Sequence, residues 1–298
     1  MAKAIVTGAN GFIGKHLVEK LLAKNIEVYA ISRSQDSFDK RVNVHTIDLL
    51  NPHLCDFFKE SKINLIFHLA WESSSGNLRA NIDEQLKNIA IANNVCKLAK
   101  NINCDRIICT GTVYEELCGK IDIAKSFVPM SYYLYTKRYV YNIMRQFSLQ
   151  NSIKLVWCTF CHPIGKYNKT NQVIADSIIK LKKGLPLNFG YGENYFDIIA
   201  VADLVNGLYL AAHSNLEHTR YYIGSNSPAK FNEYLTRIRD MLSPNAVLHF
   251  DENKKDGLDL NKEWLDCSLF NHETGYIPYT DFYTSIMQLA EWLGRIEQ

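Results

Sequence analysis

A glycine-rich turn near the start of the chain limits what this sequence can fold into more than any other feature. Residues 7–14 read TGANGFIG, so Gly8, Gly11 and Gly14 recur at every third position between a strand-like segment and a helix-like one, 12–24. Glycine lets the chain turn sharply and approach a ligand closely, and a helix N-terminus offers unpaired N–H groups to anions. The arrangement therefore predicts a cradle for the pyrophosphate of a dinucleotide. The alternative is a tight turn that holds no ligand.

Strand-like and helix-like segments alternate along the first part of the chain. The predicted strands carry Val, Ile and Leu on both faces and cover 3–7, 27–32, 43–47, 64–70, 106–110 and 153–160. Helical patterns separate several of them, which is typical of a parallel sheet covered on both sides. The sequence therefore predicts an α/β fold with a Rossmann-type doubly wound parallel sheet.

The pattern becomes irregular after about residue 160. Helices are predicted near 171–183, 201–213 and 280–294, with short strands at 220–224 and 246–250. We expect a dinucleotide-binding domain of residues 1–160. Residues 161–298 are expected to form a smaller, mainly substrate-binding α/β lobe, from which some segments return to the first domain.

Composition excludes several classes of function. The chain has 298 residues, of which 47% are hydrophobic and 21% charged, and a net charge of +2 gives no basic field for nucleic acid or a membrane surface. No apolar run approaches the roughly 20 residues of a membrane span. The eight cysteines fit free thiols in the cytoplasm, the expected location. Cys158 and Cys161 form a C-x-x-C without a second ligand pair, so no metal site is expected.

The end of the second strand indicates which dinucleotide binds. It reads AISRSQDS, and Arg33 stands nineteen residues after Gly14, flanked by Ser32 and Ser34. An arginine here accommodates a 2′-phosphate, whereas an acidic residue accepts from a ribose hydroxyl. Asp36 lies further on and is expected to point elsewhere. NADP(H) is therefore favoured and NAD(H) remains possible; the alternative for Arg33 is an ordinary surface cation.

The stretch SYYLYTKRYVY, residues 131–141, contains a tyrosine and a lysine with catalytic spacing. Tyr133 and Lys137 are four apart, so a helix places them on one face. Pro129 and Ser131 place the helix start just before Tyr133. A nearby ammonium and a position in the first turn are both expected to lower the pKa of the phenol. The alternative is plain aromatic packing.

Together with CTGTVYEE at 109–116, these features resemble the extended short-chain dehydrogenase/reductase family, and within it the nucleotide-sugar epimerases, dehydratases and 4-ketoreductases. Further matches follow in order along the chain, at DLL (48–50), FHLAW (67–71), Asn88, CHPIG (161–165) and FDIIAVADL (196–204). The resemblance covers nearly the whole chain and is weakest after about residue 225.

The resemblance implies both a catalytic set and its surroundings. The implied catalytic residues are Thr110, Tyr133 and Lys137, where Lys137 also holds the nicotinamide ribose; the alternative for Thr110 is a helix cap or turn residue. Residues expected at the cofactor are Gly8, Asn10, Gly11, Phe12, Ile13, Gly14, Ser32, Arg33, Ser34, Asp48, Leu49, Leu69, Ala70, Trp71, Asn88, Tyr133, Lys137, Cys161 and Pro163. Residues expected at the substrate are Ser73, Thr110, Thr112, Tyr133 and His162.

Three departures from family patterns bear on the reaction. Gly111 and Thr112 stand where sugar 4,6-dehydratases carry an Asp-Glu pair, so 4,6-dehydration is disfavoured. His162 replaces an asparagine that contacts substrate in epimerases, or else is fixed against backbone carbonyls. Phe196 replaces the arginine that grips the substrate diphosphate. The cations considered as its substitute are Lys166, Lys169 and Arg220, and the alternative is a substrate that lacks the usual nucleotide diphosphate.

These observations favour one reaction and leave others open. An arginine at the second strand suits NADPH, and HLAW and HPIG are similar to variants in abequose- and paratose-synthase-type reductases. The preferred function is NADPH-dependent reduction of the C4 ketone of a nucleotide-linked 4-keto-6-deoxy sugar for surface polysaccharide. The alternatives are a nucleotide-sugar 4-epimerase with tightly bound NAD and a non-catalytic dinucleotide-binding sensor. The family also implies a homodimer through the helix bearing Tyr133 and the preceding long helix, with Tyr139 and Tyr141 contributing.

Overall fold

The computed structural model describes residues 2–34, 38–58, 62–120, 128, 130–168, 170–251, 253 and 259–296. Asp36, Pro129 and Lys169 lie outside the described residues. The strands are β1 Lys3–Thr7, β2 Glu27–Ser32, β3 Asn43–Thr46, β4 Leu65–His68, β5 Arg106–Thr110, β6 Lys154–Thr159, β7 His162–Ile164, β8 Leu187–Phe189, β9 Tyr195–Phe196, β10 Ile198–Ala200, β11 Arg220–Tyr222, β12 Ala229–Lys230 and β13 Leu248–Phe250. The α-helices are α1 Phe12–Ala23, α2 Ile82–Asn101, α3 Ser131–Gln150, α4 Val173–Lys182, α5 Val201–His213, α6 Phe231–Leu242, α7 Ser268–Thr274 and α8 Phe282–Ile296.

Seven strands form one parallel sheet in the order β3-β2-β1-β4-β5-β6-β11. The Rossmann-type doubly wound sheet expected from the sequence is thereby confirmed. Ala4, Ile5 and Val6 of β1 are completely buried at its centre, and burying a Val or Ile side chain contributes about 1.5–3 kcal/mol. Because all strands are parallel, their carboxyl ends meet at one edge, and in this fold ligands bind there.

Helices cover both faces of the sheet. Leu17 and Leu21 of α1 pack with α5 against one face, whereas α2 and α3 pack side by side against the other. Helix α2 begins at Ile82 because Asn81 caps it by accepting from the backbone N–H of Glu84. The residues before it, Gly76–Ala80, form a separate 3-10 helix.

The dimer contact predicted for Tyr141 is wrong. Its side chain is buried, its hydroxyl lies 3.1 Å from Oγ1 of Thr219, and its ring centroid is 5.4 Å from that of Trp157. Tyr141 therefore packs between α3 and the sheet. Tyr139, two residues earlier on α3, is exposed, as a contact with another molecule requires.

The later part of the chain builds a second hydrophobic cluster from α4, α6, α8 and short strand pairs. Helix α6 was not predicted, although Tyr234, Leu235 and Ile238 bury one of its faces. The segment 201–222 instead lies with the sheet, as α5 and β11. The domain boundary at residue 160 stays a prediction. Within the described residues, no helix has the length and apolar character needed to cross a membrane.

Side chains from both parts of the chain meet in a further cluster above the carboxyl edge of the sheet. Tyr133 and Leu134 of α3 pack there with Tyr222 of β11 and with Leu260 and Leu265 of the later chain. The first turn of α3 therefore packs against residues from both parts of the chain.

Candidate active site

The glycine turn has the geometry of a phosphate cradle. Gly8 has a φ of +68°, and a Cβ on it would lie 2.8 Å from the backbone nitrogen of Ala70. A Cβ on Gly14 would lie 2.1 Å from the carbonyl oxygen of Gly8. Helix α1 starts directly after Gly11, and no described side chain caps it. Its first-turn N–H groups are therefore available to an anion, and the residues present fit a dinucleotide pyrophosphate.

Polar side chains connect this turn to the end of β2. The amide nitrogen of Asn10 donates to Oγ of Ser32 at 2.9 Å and to Oγ of Ser34 at 3.1 Å. The amide oxygen of Asn10 is buried without a partner among the described residues. The structure thus brings together three residues predicted at the cofactor and leaves one acceptor for a ligand hydroxyl.

Arg33 is not an isolated surface cation. Its guanidinium lies 2.9 Å from a carboxylate oxygen of Glu72, which follows β4, so the pair links the ends of two strands that flank β1. The side chain of Arg33 is 68% exposed. A 2′-phosphate on the adenosine ribose would therefore have to compete with Glu72 for this cation.

The loop after β4 is held in place from α2. The side-chain oxygen of Asn88 accepts from the backbone N–H of Glu72 at 2.7 Å, and its amide nitrogen donates to the carbonyls of Glu72, Glu84 and Gln85. Asn88 was expected at the cofactor, but its amide is engaged within the protein. We assign it the positioning of this loop; a direct cofactor contact stays a prediction.

Other residues predicted at the cofactor are placed as follows. Leu69 and Ala70 pair with Thr7 at the end of β1, through the Thr7 carbonyl at 3.3 Å and its hydroxyl at 3.2 Å. Phe12 and Ile13 pack against the core below the glycine turn. Asp48 is exposed and accepts from the backbone N–H of Leu50, and Leu49 is buried.

Thr110, Tyr133 and Lys137 converge at the carboxyl end of β5. The ammonium of Lys137 donates to the backbone carbonyl of Thr110 at 2.7 Å and lies 3.6 Å from the ring centroid of Trp71. It is 6.0 Å from the ring centroid of Tyr133. Helix α3 begins at Ser131, so Tyr133 lies in its first turn, as predicted.

The predicted lowering of the Tyr133 pKa is wrong for this structure. Burial is the largest cause of the shift and raises the pKa of Tyr133 to about 12, opposed by the positive charge of Arg79. Burial also lowers the pKa of the Lys137 ammonium to about 7. The physical reason for the raised Tyr133 pKa is burial of the phenol, while the Lys137 ammonium donates to the Thr110 carbonyl and lies over the Trp71 ring.

A buried carboxylate and its indole partner behind Thr110 explain why a glycine, and not the dehydratase aspartate, stands at position 111. Glu115 accepts from the backbone N–H of Thr112 at 2.8 Å and from the indole of Trp157 at 3.2 Å, and burial raises its pKa. A Cβ on Gly111 would lie 2.1 Å from the Trp157 indole nitrogen. The dehydratase aspartate therefore has no room here. The sequence analysis did not identify Glu115, and its only signal was the EE that follows VY.

Thr112 caps the 3-10 helix Val113–Leu117, and its hydroxyl accepts from the N–H of Tyr114 at 3.4 Å. Ser73 has a φ of +56°, and its hydroxyl donates to Glu84 at 3.2 Å. Both were predicted at the substrate. Their hydroxyls have these local partners, and the substrate contacts stay predictions.

His162 lies on β7. Its backbone N–H donates to the Asp197 carbonyl at 3.0 Å, and its ring centroid is 5.2 Å from that of Phe196. Its Nε2 is buried without a partner among the described residues, so no carbonyl fixes this nitrogen. Burial, followed by the charge of Arg79, lowers its pKa to about 4, and the ring is neutral at pH 7. Cys161 and Pro163 flank it, and burial raises the pKa of the Cys161 thiol.

Two of the cations considered for the substrate diphosphate contact other side chains, and the third, Lys169, lies outside the described residues. Arg220 pairs with Glu116 and lies 3.5 Å from Glu115. Lys166 lies 4.6 Å from the ring centroid of Tyr167, beside α1 and α8. The structure instead places Arg79, which the sequence analysis missed, over Tyr133 at 5.0 Å from the ring centroid. Nothing in the spacing of the sequence singles out this arginine.

The comparisons with known proteins now identify the class. Residues 4–224 match the NAD dependent epimerase/dehydratase family, and the chain belongs to it, as an enzyme of the extended short-chain dehydrogenase/reductase type. It is 28% identical to CDP-abequose synthase of Salmonella typhimurium over 97% of both chains. It is 27% identical to dTDP-6-deoxy-L-talose 4-dehydrogenase (NAD(+)) of Aggregatibacter actinomycetemcomitans, over 67% of this chain and 76% of the relative.

Among solved structures, the fold is similar to that of UDP-glucose 4-epimerase of Thermotoga maritima, whose crystals contained UDP-glucose. The TM-score is 0.83 at 18% identity, over 99% of this chain and 100% of the other. At this identity the likeness shows the fold alone.

Proposed function

We propose that this enzyme reduces the C4 ketone of a nucleotide-linked 4-keto-6-deoxy sugar with NADPH, for the synthesis of a surface polysaccharide. The observation that carries the proposal is the convergence of Thr110, Tyr133 and Lys137 beside Gly111, where no acid for water loss fits. The similarity to CDP-abequose synthase over nearly the whole chain supports the same class of substrate.

The residues of the site supply the proton chemistry of such a reduction. Bound NADPH would supply the hydride that forms the new C–H bond at C4. The phenol of Tyr133 donates its proton to the ketone oxygen, which becomes the product hydroxyl, and solvent then returns a proton to the phenolate. Burial keeps Tyr133 protonated at neutral pH, which is the form that a proton donor needs. The Thr110 hydroxyl stabilises the charge that develops on the same oxygen.

NADP(H) is the proposed cofactor, with NAD(H) as the alternative. The glycine cradle would hold the pyrophosphate, and Asn10, Ser32 and Ser34 would surround the adenosine ribose. Arg33 is the cation available to a 2′-phosphate, in competition with Glu72. Lys137 would hold the nicotinamide ribose, beside the proton donor.

A homodimer is proposed through α2 and α3. These helices pack side by side, and each carries apolar side chains on its outer surface. Leu86 of α2 and Tyr139 of α3 are each 51% exposed, and Ile143 is 38% exposed. Pairing with a second copy would bury this surface.

The proposal is tested by incubating the purified protein with NADPH and CDP- or dTDP-linked 4-keto-6-deoxyglucose. We expect NADPH absorbance to fall only when the keto sugar is present. Tyr133→Phe should lower kcat by about 10²–10⁴-fold because the proton donor is lost, with NADPH binding retained. Tyr135→Phe is the matched control, since its hydroxyl accepts from the Gly119 N–H and no role in the reaction is assigned to it. Full activity in the Tyr133 variant would refute the assignment.

A second candidate is a nucleotide-sugar 4-epimerase with tightly bound NAD, supported by the match of residues 4–224 to the NAD dependent epimerase/dehydratase family. An epimerase would convert UDP-glucose to UDP-galactose without added cofactor and would release NAD(H) on denaturation. Binding of NADPH with no turnover of any keto sugar would favour the third possibility, a dinucleotide-binding sensor.

A further inference from the structure

Arg79 lies beside Tyr133, and two contacts restrict its position. It belongs to the 3-10 helix Gly76–Ala80, between β4 and α2. Its Nε donates to the carbonyl of Ser74 at 2.7 Å, and its guanidinium carbon lies 5.0 Å from the ring centroid of Tyr133. The backbone bond and the ring together restrict the guanidinium, while its two terminal nitrogens have no hydrogen-bond partner among the described residues.

Among the described residues Arg79 has no counter-ion, unlike the other arginines discussed above. Arg33 pairs with Glu72 and Arg220 with Glu116, but no described carboxylate lies within 4 Å of Arg79. Arg79 is half-buried, and removing a charge from water without pairing it carries a cost. A guanidinium held in this way is well suited to an incoming oxyanion, which it can bind through two parallel hydrogen bonds.

The charge of Arg79 acts on a second polar group that has no partner among the described residues. The buried Nε2 of His162 has no partner among the described residues, and the charge of Arg79 is close enough to lower the pKa of His162. The His162 ring neighbours Phe196, at 5.2 Å between centroids. The family resemblance implies that Phe196 occupies the position of the arginine for the substrate diphosphate. The free imidazole nitrogen therefore belongs to the ring beside that position, and the charge of Arg79 acts on the same ring.

We propose that Arg79 binds the diphosphate of the nucleotide sugar, in place of the arginine that Phe196 replaces, with Nε2 of His162 as a second contact. This inference rests on the proposed nucleotide-sugar substrate. It makes Arg79 a substrate-binding residue that approaches the sugar from the loop after β4. In this arrangement the segment between β4 and α2 supplies the cation. Phe196 stays packed in the second hydrophobic cluster.

The test is calorimetric titration of wild type and Arg79→Gln with UDP, GDP, CDP and dTDP, and with the four corresponding nucleosides. Saturating NADP is present throughout, so that the cofactor cradle is filled and cannot bind the nucleotides. For the diphosphate that wild type binds best, we expect Arg79→Gln to weaken binding about 10–100-fold, as loss of a charged, bidentate contact implies. Binding of the nucleoside and of NADP should not change.

Two further variants separate the effect of the charge at position 79 from that of its geometry and from a general loss of positive charge. Arg79→Lys should recover part of the affinity because it restores the charge without the bidentate geometry. Arg145→Gln removes the same charge from an exposed position further along α3 and should bind the diphosphate as wild type does. Equal diphosphate binding by wild type and Arg79→Gln would overturn the proposal. So would a loss confined to UDP-glucuronate and absent for UDP, since that would place Arg79 at a carboxylate of the sugar.

The failure of this inference can be told apart from the failure of the proposed reaction. If Arg79→Gln loses diphosphate affinity while wild type reduces no keto sugar, the diphosphate contact stands and the reaction is wrong. If wild type reduces keto sugars and Arg79→Gln does so with an unchanged KM, the reaction stands and the contact is wrong.

Discussion

Because Lys137 is buried, the free energy of unfolding should rise with pH. The substitution Lys137→Met should remove this part of the pH dependence. Its pKa is lowered from 10.5 to about 7, a difference of 3.5 units. Because the folded state holds this proton less tightly than the unfolded state, protonation destabilises the fold. The penalty is complete below about pH 7, where it approaches roughly 5 kcal/mol, and it disappears as the pH rises toward the ordinary lysine pKa. At pH 9 about 2 kcal/mol remains.

Lys137→Met replaces the ammonium with an apolar chain of similar length. The substitution also removes the hydrogen bond to Thr110 and the contact with Trp71, so the net stability change at any single pH combines gains and losses. The pH dependence of that change isolates the ionisation. From pH 7 to pH 9, the free energy of unfolding of wild type should rise by about 2 kcal/mol relative to that of the variant.

Urea unfolding of both proteins at the two pH values, with no cofactor added, measures this quantity. Lys154→Met is the matched control, because Lys154 is exposed at the start of β6 and its removal should give the same stability change at both pH values. If the difference between wild type and Lys137→Met does not change with pH, the ammonium is not destabilised by burial. The argument about the Lys137 pKa would then be refuted.

Three further predictions concern the cofactor site and the proposed dimer surface. Glu72→Gln frees Arg33 and should increase the thermal stabilisation by NADP relative to that by NAD; an unchanged ratio would mean that Arg33 does not meet the 2′-phosphate. Gly14→Ala should abolish cofactor binding and lower the melting temperature, because its Cβ would lie 2.1 Å from the Gly8 carbonyl oxygen; binding at wild-type affinity would contradict the cradle. Tyr139→Glu should shift sedimentation from dimer to monomer, whereas an unchanged sedimentation coefficient would exclude α3 as the contact.

Much of the fold follows from local sequence signals. The five segments KAIVT, EVYAIS, NVHTI, NLIFHLA and RIICT are short apolar runs bounded by turn residues, and each contains a strand of the central sheet. The helix α6 was missed although its apolar residues recur at helical spacing, because the surrounding irregular segments obscured the period. The strand β11 was predicted as a short piece, but its place at the sheet edge depends on pairing with β6, which is distant in sequence.

The site divides in the same way between local and non-local determinants. The spacing of Tyr133 and Lys137 on one helix fixes their face, and Gly8 and Gly14 fix the cradle, so both were predictable. The pKa of Tyr133 was predicted with the wrong sign because burial depends on what packs above α3, and the sequence does not show that packing. Arg79 was missed for the same reason: it reaches Tyr133 from another loop.

The electrostatics of the two proton-handling residues bear on the choice between reductase and epimerase. A ketoreductase needs Tyr133 to donate a proton, whereas an epimerase needs the same phenol to accept one from a sugar hydroxyl before donating it again. Burial stabilises the protonated phenol and the deprotonated lysine, since both are the neutral forms. The positive charge of Arg79 opposes the rise in the Tyr133 pKa, and an anionic substrate bound there would reduce that opposition. Substrate binding would then make the phenolate of Tyr133 scarcer, which disfavours the epimerase because that reaction needs the phenolate to accept a proton from a sugar hydroxyl.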